Sequence, residues 1–513
     1  MGTIRALSML ELLGFSMGLA AEDPFRRGTG FAFVPAVFLG VLVPAFAHAE
    51  VRISSAATSN MSCSGDICAP TAKNAVLNVG DLENLLASGA VEVTSTGSGV
   101  QANNIEIDAA LSWLGSGTLA LDAYQSILVE KPVSITGPGG LSVTTNDGGK
   151  NGYFGFQDKG QVSFASLSST LTINGATYVL VGDIATLAAD IAANSGGNFA
   201  LANDYDAASD GTYSNSPVPT QFSGAFEGLG NTISHLSLNG TGDVNDPVGL
   251  FAELALNNQP GGSVENINLQ KLDVTGNGLA VGGLVGVNVG MIGNAFVSGS
   301  LTANFQHGDP EIGELVGYNV GTITRSGAEG TIASSQGSVL GGLVGATGTG
   351  AVSQSIANCK ISGGNASFIG GLVGGGEGPI SASYAMGSLQ GGTGSDIGGL
   401  VGENADESTI SQSYSTALLK HVGRKDRDTG GLIGIDYSPA GSNTSDYWDT
   451  STSHVRNKRR GAGTPKNDPG IAGLTTQQLQ SGLPSGFDPS IWAEDASINN
   501  GLPYLIDNPP KKK

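Results

Sequence analysis

The stretch Gly341–Ile361, GGLVGATGTGAVSQSIANCKI, holds the short apolar phrase that decides the fold of this chain. A glycine-flanked leucine opens the stretch, and two aliphatic residues, Val352 and Ile361, follow nine residues apart. Copies of the phrase, read as GLFA, GLVG, ELVG or GLIG, begin at Gly249, Gly283, Glu314, Gly342, Gly371, Gly399 and Gly431, in steps of 34, 31, 28, 29, 28 and 32 residues. In the five middle copies the downstream aliphatic residues keep a separation of 8 or 9 residues. Two spacings kept together indicate a repeat architecture.

Each repeat offers three short apolar segments, which are separated by Gly, Asn, Ser or Asp. Such segments are too short for helices but ordinary for strands. One unit buries too little apolar area to offset its loss of conformational entropy, whereas stacked units share a dry interior. We therefore predict an all-β fold, a parallel β-helix or β-solenoid of right-handed winding with short capping helices. The interior column is expected to contain Leu284, Leu315, Leu343, Leu372, Leu400 and Leu432.

The composition of the 513 residues supports strands and tight turns. Glycine occupies 81 positions, which would destabilise a helical bundle because each interior glycine costs a helix about 0.5–1 kcal/mol relative to alanine. Apolar residues make up 39% of the chain and alternate with polar ones, which argues against disorder. The net charge of −21 repels phosphate backbones, so nucleic acid is not an expected partner.

The first 49 residues resemble an export leader. Arg26 and Arg27 precede the uncharged stretch 31–46, and Ala47 and Ala49 form a small-x-small cleavage site. The apolar stretch is shorter than the roughly 20 residues that a membrane span needs, so no stable transmembrane anchor is expected. We predict export through the general secretory route, with the mature protein secreted or held at the cell surface.

The three cysteines fit an oxidising compartment. Cys63 and Cys68 lie five residues apart just after the predicted cleavage site, where a disulfide would close a small loop; two unpaired thiols are the alternative. Cys359 has no partner in this scheme and is expected to fill a small interior position of its repeat.

The phrases GGLVG and the downstream SYA-type segments resemble the GLUG motif of bacterial surface proteins. The segment 222–238, FSGAFEGLGNTISHLSL, resembles the stretch that introduces such repeats, and residues 76–180 resemble filamentous-haemagglutinin-like adhesins. The segment 473–505 is similar to tails that close GLUG arrays. The resemblance implies an adhesin-type protein, secreted by or attached to the surface of a Gram-negative bacterium.

The chain is expected to divide into five parts. These are a leader (1–49), a linker with the possible disulfide (50–75), a strand-repeat region with short helices (76–221), the repeat solenoid (222–436) and a closing segment (437–513). Asp81 is expected to cap a helix over 82–87, and Asp183 a helix over 184–194; a third short helix is expected over 475–479. Residues 202–221 are expected to form a loop.

Several polar and aromatic positions are candidate sites. Asn288, Asn319 and Asn404 are expected to stack as a polar ladder that breaks at Ala346 and Gly375. Tyr384 and Tyr414, with Phe296 at a matching position, form either an exposed sugar-stacking strip or an interior aromatic stack, the latter being favoured. The basic cluster at Arg456, Lys458, Arg459 and Arg460 is either a solvated loop, a contact for anionic glycans or a processing site.

Motifs for chemistry are sparse. No HExxH, GxSxG or Walker sequence occurs, so no catalytic residue and no cofactor is predicted. Asp204, Asp206 and Asp210 would suit a weak calcium site or, more simply, an Asx-rich turn. The acidic residues of the repeats show no recurring column in the sequence.

Three functions remain open from the sequence. The first is a non-catalytic, exported adhesin-like β-helix that binds cell-surface glycans or proteins. The second is a carbohydrate-active enzyme, a polysaccharide lyase or glycosidase, which would need paired carboxylates on one face. The third is a passenger of a larger secretion system that includes an outer-membrane partner.

Overall fold

The computed structural model describes residues 50–510, apart from 242, 244, 256–260, 304–308, 336 and 421–427. These residues form a nearly all-β parallel solenoid, as the repeats predict. Within these described residues there are three α-helices, α1 (Val79–Leu86), α2 (Ile184–Ala193) and α3 (Thr476–Leu479), and two short 3-10 turns, Ala207–Ser209 and Asn499–Gly501. The predicted leader, with Ala47 and Ala49, lies outside the described residues.

One long sheet, called the shared sheet, runs through both ends of the solenoid. Its 16 strands are Met61–Ser64, Ile67–Pro70, Val91–Thr94, Thr118–Asp122, Gly140–Thr144, Leu171–Ile173, Ala176–Val181, Asn198–Leu201, Ala225–Glu227, Ser263–Glu265, Met291–Gly293, Thr322–Thr324, Ala351–Ser353, Ile380–Ser381, Ile410–Ser411 and Asn443–Thr444. Nearly all neighbours are parallel and in register, for example Ile292 beside Ile323.

Two further sheets complete the N-terminal turns. Sheet N1 contains Glu50–Ser54, Ala75–Asn78, Asn104–Ile107, Ile127–Val129 and Phe154–Phe156, and sheet N2 contains Leu111–Trp113, Val133–Ile135 and Val162–Phe164. The expected linker at 50–75 is therefore wrong, because Glu50–Ser54 pairs with strands on both sides and buries Val51 and Ile53 completely. Alternating apolar residues give this segment a buried face, which a linker lacks.

Three sheets complete the C-terminal turns. Sheet C1 contains Tyr205–Asp206, Thr212–Tyr213, Thr232–Ser234, Ser237–Gly240, Asn268–Gly276, Phe296–Ala303, Gly327–Ser334, Ile356–Ser362, Tyr384–Gln390, Tyr414–Ser415, Leu418–Lys420, Asp446–Asp449 and Ile471–Leu474. Sheet C2 contains Phe251–Leu254, Val285–Asn288, Val316–Asn319, Val344–Thr347, Val373–Gly376, Val401–Asn404, Ile433–Asp436 and Ala462–Thr464. Sheet C3 contains Ala280–Gly282, Glu311–Gly313, Val339–Gly341, Phe368–Gly370, Asp396–Gly398 and Asp428–Gly430. Short antiparallel pairs join Thr96–Gly97 to Val100–Gln101 and Trp492–Ala493 to Tyr504–Leu505.

The apolar core packs on one face of the shared sheet in its N-terminal part and on the opposite face in its C-terminal part. Strand Ala176–Val181 pairs antiparallel with Leu171–Ile173 but parallel with Asn198–Leu201. Leu180 belongs to the N-terminal apolar cluster, whereas its neighbour Val181 belongs to the C-terminal one. Successive strand residues point to opposite faces, so the two clusters lie on opposite sides of the sheet. The solenoid therefore has an N-terminal and a C-terminal segment that meet at this hairpin.

Each of the three described helices begins after a residue whose side chain caps it. Asn78 caps α1, because its side chain accepts hydrogen bonds from the backbone amides of Gly80 and Asp81; the expected cap, Asp81, lies inside the helix. Asp183 caps α2 as predicted, accepting from the amide of Thr186 at 2.6 Å. Helix α3 begins after Thr475, which forms a capping box with Gln478.

Candidate functional site

The six repeat leucines form the continuous interior column that the phrase predicts. Each is fully buried, and each backbone amide from Leu284 to Leu400 donates to the carbonyl of the next leucine at 2.8–3.1 Å. They occupy the corner between sheets C3 and C2. A glycine lies two residues before each of these leucines. An added Cβ at Gly341 would lie 1.8 Å from the carbonyl oxygen of Val344, and one at Gly282 would lie 2.1 Å from that of Val285. Only glycine fits this corner position, which directly precedes the phrase at Gly282 and Gly341.

A serine ladder fixes the next corner, between the shared sheet and sheet C1. The amides of Ser326, Ser355 and Ser383 each donate to the side chain of the following serine, at 3.1–3.2 Å, and the ladder ends when Ser413 donates to Asp446. Each serine hydroxyl also donates to the carbonyl two residues before it, at 2.8–2.9 Å. Each hydroxyl of the ladder is thus paired, and these serines have a structural role.

The asparagine ladder is present, but two positions of its column differ by one residue from those expected. Asn288 donates to Asn319 at 2.7 Å, and Asn404 donates to Asp436 at 2.9 Å. The strand pairing places Thr347 and Gly376 in this column, one residue after the expected breaks at Ala346 and Gly375. The side chains are buried, so they hold the turns together and offer no exposed polar surface.

The aromatic stack is present and buried, but it lies outside the repeat core. The rings of Tyr384 and Tyr414 stack at 5.0 Å and 6°, and Trp492 packs against both. These residues form their own apolar cluster with side chains from the closing segment, such as Leu505. Tyr414 donates its hydroxyl hydrogen to the carbonyl of Pro503 at 2.6 Å. The closing segment therefore covers this strip, which rules out sugar stacking on it in this structure. Phe296 occupies the same column, two strands before Ile356.

Charged side chains also fill the seam between the two solenoid segments. Glu227 accepts from the amide of Leu229 at 2.9 Å and from Asn266 at 3.0 Å. Burial, together with the neighbouring Glu265, raises the pKa of Glu227 well above its usual value. Arg325 lies 4.2 Å above the ring of Tyr153. These groups join the segments, and both oxygens of Glu227 are already bonded.

The outward residues of sheets C3 and C2 form the candidate binding surface, called the outer face. On C3 this column contains Glu311, Val339, Phe368, Asp396 and Asp428, in register on adjacent strands. On C2 the neighbouring column contains Val287, Tyr318, Ala346, Gly375, Glu403 and Ile435. Each column therefore contains one aromatic ring, Phe368 or Tyr318, together with carboxylates, on strands about 4.8 Å apart.

Burial raises the pKa values of two carboxyl groups on the outer face. Burial raises the pKa of Glu311 to about 7. Burial and the nearby Asp396 raise the pKa of Glu403, and burial with Glu311 raises the pKa of Tyr318. Asp428 accepts a short hydrogen bond from Thr464, the residue of sheet C2 beside it. The face thus combines half-buried rings with two carboxyl groups, those of Glu311 and Glu403, whose pKa values are raised.

Sequence inspection missed this acidic column because its members share no residue type. They share only a position, two residues before the glycine in EIG, VLG, FIG, DIG and DTG. Aligning the repeats on that glycine would have placed Asp396 beside Asp428, with Glu311 three strands before Asp396 in the same column.

Other candidate residues are distributed as follows. Cys63 and Cys68 form the predicted disulfide, and Cys359 is buried in its repeat. Asp204, Asp206 and Asp210 accept hydrogen bonds from Thr232, Ala208 and two tyrosines, respectively. Among the described residues no group of three or more acidic, histidine or cysteine side chains is arranged to hold a metal ion. The expected loop at 202–221 contains two short strands and a 3-10 turn.

Helices of the described part of the chain are all too short or too polar to cross a bilayer.

Comparison with known proteins gives limited matches. No family model matches the chain. A segment of 83 residues is 41% identical to Halomucin of Haloquadratum walsbyi; it makes up 16% of this chain and 1% of Halomucin, so the chain matches only a small part of that protein. A solved structure named "putative immunoglobulin A1 protease" from Bacteroides ovatus is similar at 16% identity and a TM-score of 0.40, over 65% of this chain and 92% of that one.

Proposed function

We propose that the protein is an exported, non-catalytic β-solenoid that binds cell-surface glycans or proteins through the outer face. The leader pattern and the disulfide at Cys63 and Cys68 fit a secreted or cell-surface location. The observation that carries the binding role is the outward column of rings and carboxylates on sheets C3 and C2.

The chemistry of the outer face suits carbohydrate. The ring of Phe368 is half-buried and lies one strand from Val339. Glu311, Glu403 and Asp428 are the half-buried carboxylates of the face, whereas Asp396 is buried. An aromatic ring offers apolar area to a sugar ring, and a carboxylate accepts hydrogen bonds from hydroxyl groups. Each contact is weak, but strand-spaced repetition gives several contacts to a polymer at once, which raises its avidity. Neutral glycans fit this face best because its carboxylates repel anionic ones.

The test is a panel of immobilised neutral glycans, and of cells carrying them, probed with the purified full chain. Phe368→Ala and Tyr318→Ala should each weaken binding several-fold. Leu114→Ala is the matched control, because Leu114 is 74% exposed and lies on the N-terminal segment. Equal binding by all three variants, or none by the unchanged protein, would contradict the proposal.

The non-catalytic part of the proposal has its own test. Neutral and pectin-like polysaccharides are incubated with the protein, with and without calcium, and reducing and unsaturated ends are measured. We expect no release above that of heat-denatured protein. Release abolished by Asp396→Asn or Asp428→Asn, the paired carboxylates on adjacent strands, would instead favour the carbohydrate-active enzyme.

A further inference from the structure

Positive charge is concentrated in one stretch of the sequence, residues 420–466. Between Lys420 and Lys466 the sequence contains nine of the 23 lysines and arginines but only five aspartates and no glutamate. The rest of the chain therefore carries all of the negative charge that gives the net −21. A cluster of positive charges creates a positive potential close to it even on an acidic protein. The reason is that physiological salt screens the field of the distant negative charges beyond about 8 Å.

The fold gathers part of this charge on two adjoining loops. The first is a turn in which the amide of Arg460 donates to the carbonyl of Asn457 at 2.8 Å. The second loop docks on it, because the amide of Asn467 donates to the carbonyl of Arg459 at 3.0 Å. Lys466 is thereby brought beside the turn. Arg456, Lys458, Arg459 and Lys466, called the basic patch, are all exposed.

Arg460 ties the turn to the solenoid. Its side chain donates to the carbonyl of Thr429 at 2.7 Å, and its backbone carbonyl accepts from the amide of Gly431 at 2.8 Å. These bonds satisfy the free edge of the last strand of sheet C3. The turn is therefore held on the end of a rigid sheet.

Two described acids close to these loops in the sequence or in strand pairing, Asp468 and Asp428, are bonded to neutral donors. Asp468 accepts from Asn443 at 2.7 Å and from the amide of Gly470, and Asp428 accepts from Thr464. Among the described residues, no ion pair involves the basic patch. The patch thus exposes four cations that form no ion pair with any described residue, in a protein with a net charge of −21.

We propose that the basic patch is a second binding site, specific for anionic polysaccharides that carry carboxylate or sulfate groups. The ligand class differs from that of the outer face, so this site goes beyond the proposed function and can fail separately from it. Arginine pairs in a bidentate manner with carboxylate and sulfate, and two adjoining loops offer contacts to successive charged sugars.

The experiment measures binding of the full chain to polygalacturonate and to dextran sulfate, with neutral dextran as the uncharged probe, at 50 to 500 mM salt. We expect binding to both anionic polymers that weakens steeply with salt, and no binding to neutral dextran. The triple variant Arg456→Gln, Lys458→Gln, Arg459→Gln should lose about tenfold or more in affinity, because three contacts of about 0.5 kcal/mol each add up to that factor.

A matched variant separates the patch from net charge. Lys150→Gln, Lys159→Gln, Lys360→Gln removes the same charge from exposed positions elsewhere and should bind as the unchanged protein does. Equal losses in the two triple variants, or binding that does not depend on salt, would overturn the basic patch. Binding of neutral glycans to the outer face should be the same in both variants.

Discussion

Glu314 provides the sharpest test of how the repeats pack. It replaces the glycine that opens the phrase in the neighbouring repeats, and its side chain is fully buried within the solenoid. Space for the carboxyl group comes from Gly330, where an ideal Cβ would lie 2.7 Å from Oε1 of Glu314. Burial raises the pKa of Glu314 well above its usual value, and the backbone amide of Gly299 offsets this only in part. The buried thiol of Cys359 lies near the same carboxyl group, which helps to raise the thiol's pKa; exposed Glu329 adds a smaller effect on that thiol.

The sign of the pH effect follows from this shift. A carboxyl group with a raised pKa binds more protons in the folded than in the unfolded chain, so stability is full below the unfolded pKa, near 4.3, and falls as the pH rises. The loss is about 1.4 kcal/mol for each pH unit over which only the unfolded chain is ionised. It ends where the folded group itself ionises.

The perturbation is Glu314→Gln, which keeps the shape and removes the titration. Urea unfolding of both proteins is measured from pH 4.5 to 8.5, and the difference in free energy of unfolding is plotted against pH. We expect the variant to gain relative stability as the pH rises, by more than about 1.4 kcal/mol at pH 7.5. Other buried acids, such as Glu227, titrate in both proteins and cancel in the difference.

The matched control is Glu407→Gln, because Glu407 is an exposed acid of the same repeats. Its difference curve should stay flat within about 0.5 kcal/mol. A flat curve for Glu314→Gln as well would refute the reasoning, because it would mean that Glu314 is hydrated or ionised in the folded protein.

Three further predictions follow from the packing. Gly341→Ala should destabilise the protein by about 3 kcal/mol or more, because its Cβ would overlap a carbonyl oxygen, whereas Gly89→Ala, with open space around it, should be nearly neutral in urea unfolding. Ser383→Ala should cost about 1–3 kcal/mol in the same assay, because the buried amide of Ser355 loses its acceptor; an unchanged midpoint would contradict the ladder. The carboxyl group of Glu311 should titrate near pH 7 by carbon NMR, and a signal that titrates near pH 4.5 would show that it is solvated.

The spacing of the repeats in the sequence is sufficient to predict most of the fold of the C-terminal segment. Each repeat contains its own strands, corners and inward leucine, and each packs mainly on its neighbours, so spacing alone predicts the column from Leu284 to Leu432. Local signals were also sufficient for the cap of α2 at Asp183 and for the helix after Thr475, because capping involves residues within one turn.

Tertiary structure decided what does not repeat. The change of core face at Ala176–Val181 depends on a single hairpin, and the cover over Tyr384 and Tyr414 depends on a segment about 90 residues further along the chain. The acidic column of the outer face and the joining of Lys466 to the turn at Arg459 likewise arise from strand register and loop docking. Sequence encodes contacts that recur at a fixed spacing, whereas a contact made once between distant segments leaves no period to read; only the folded chain brings such residues together.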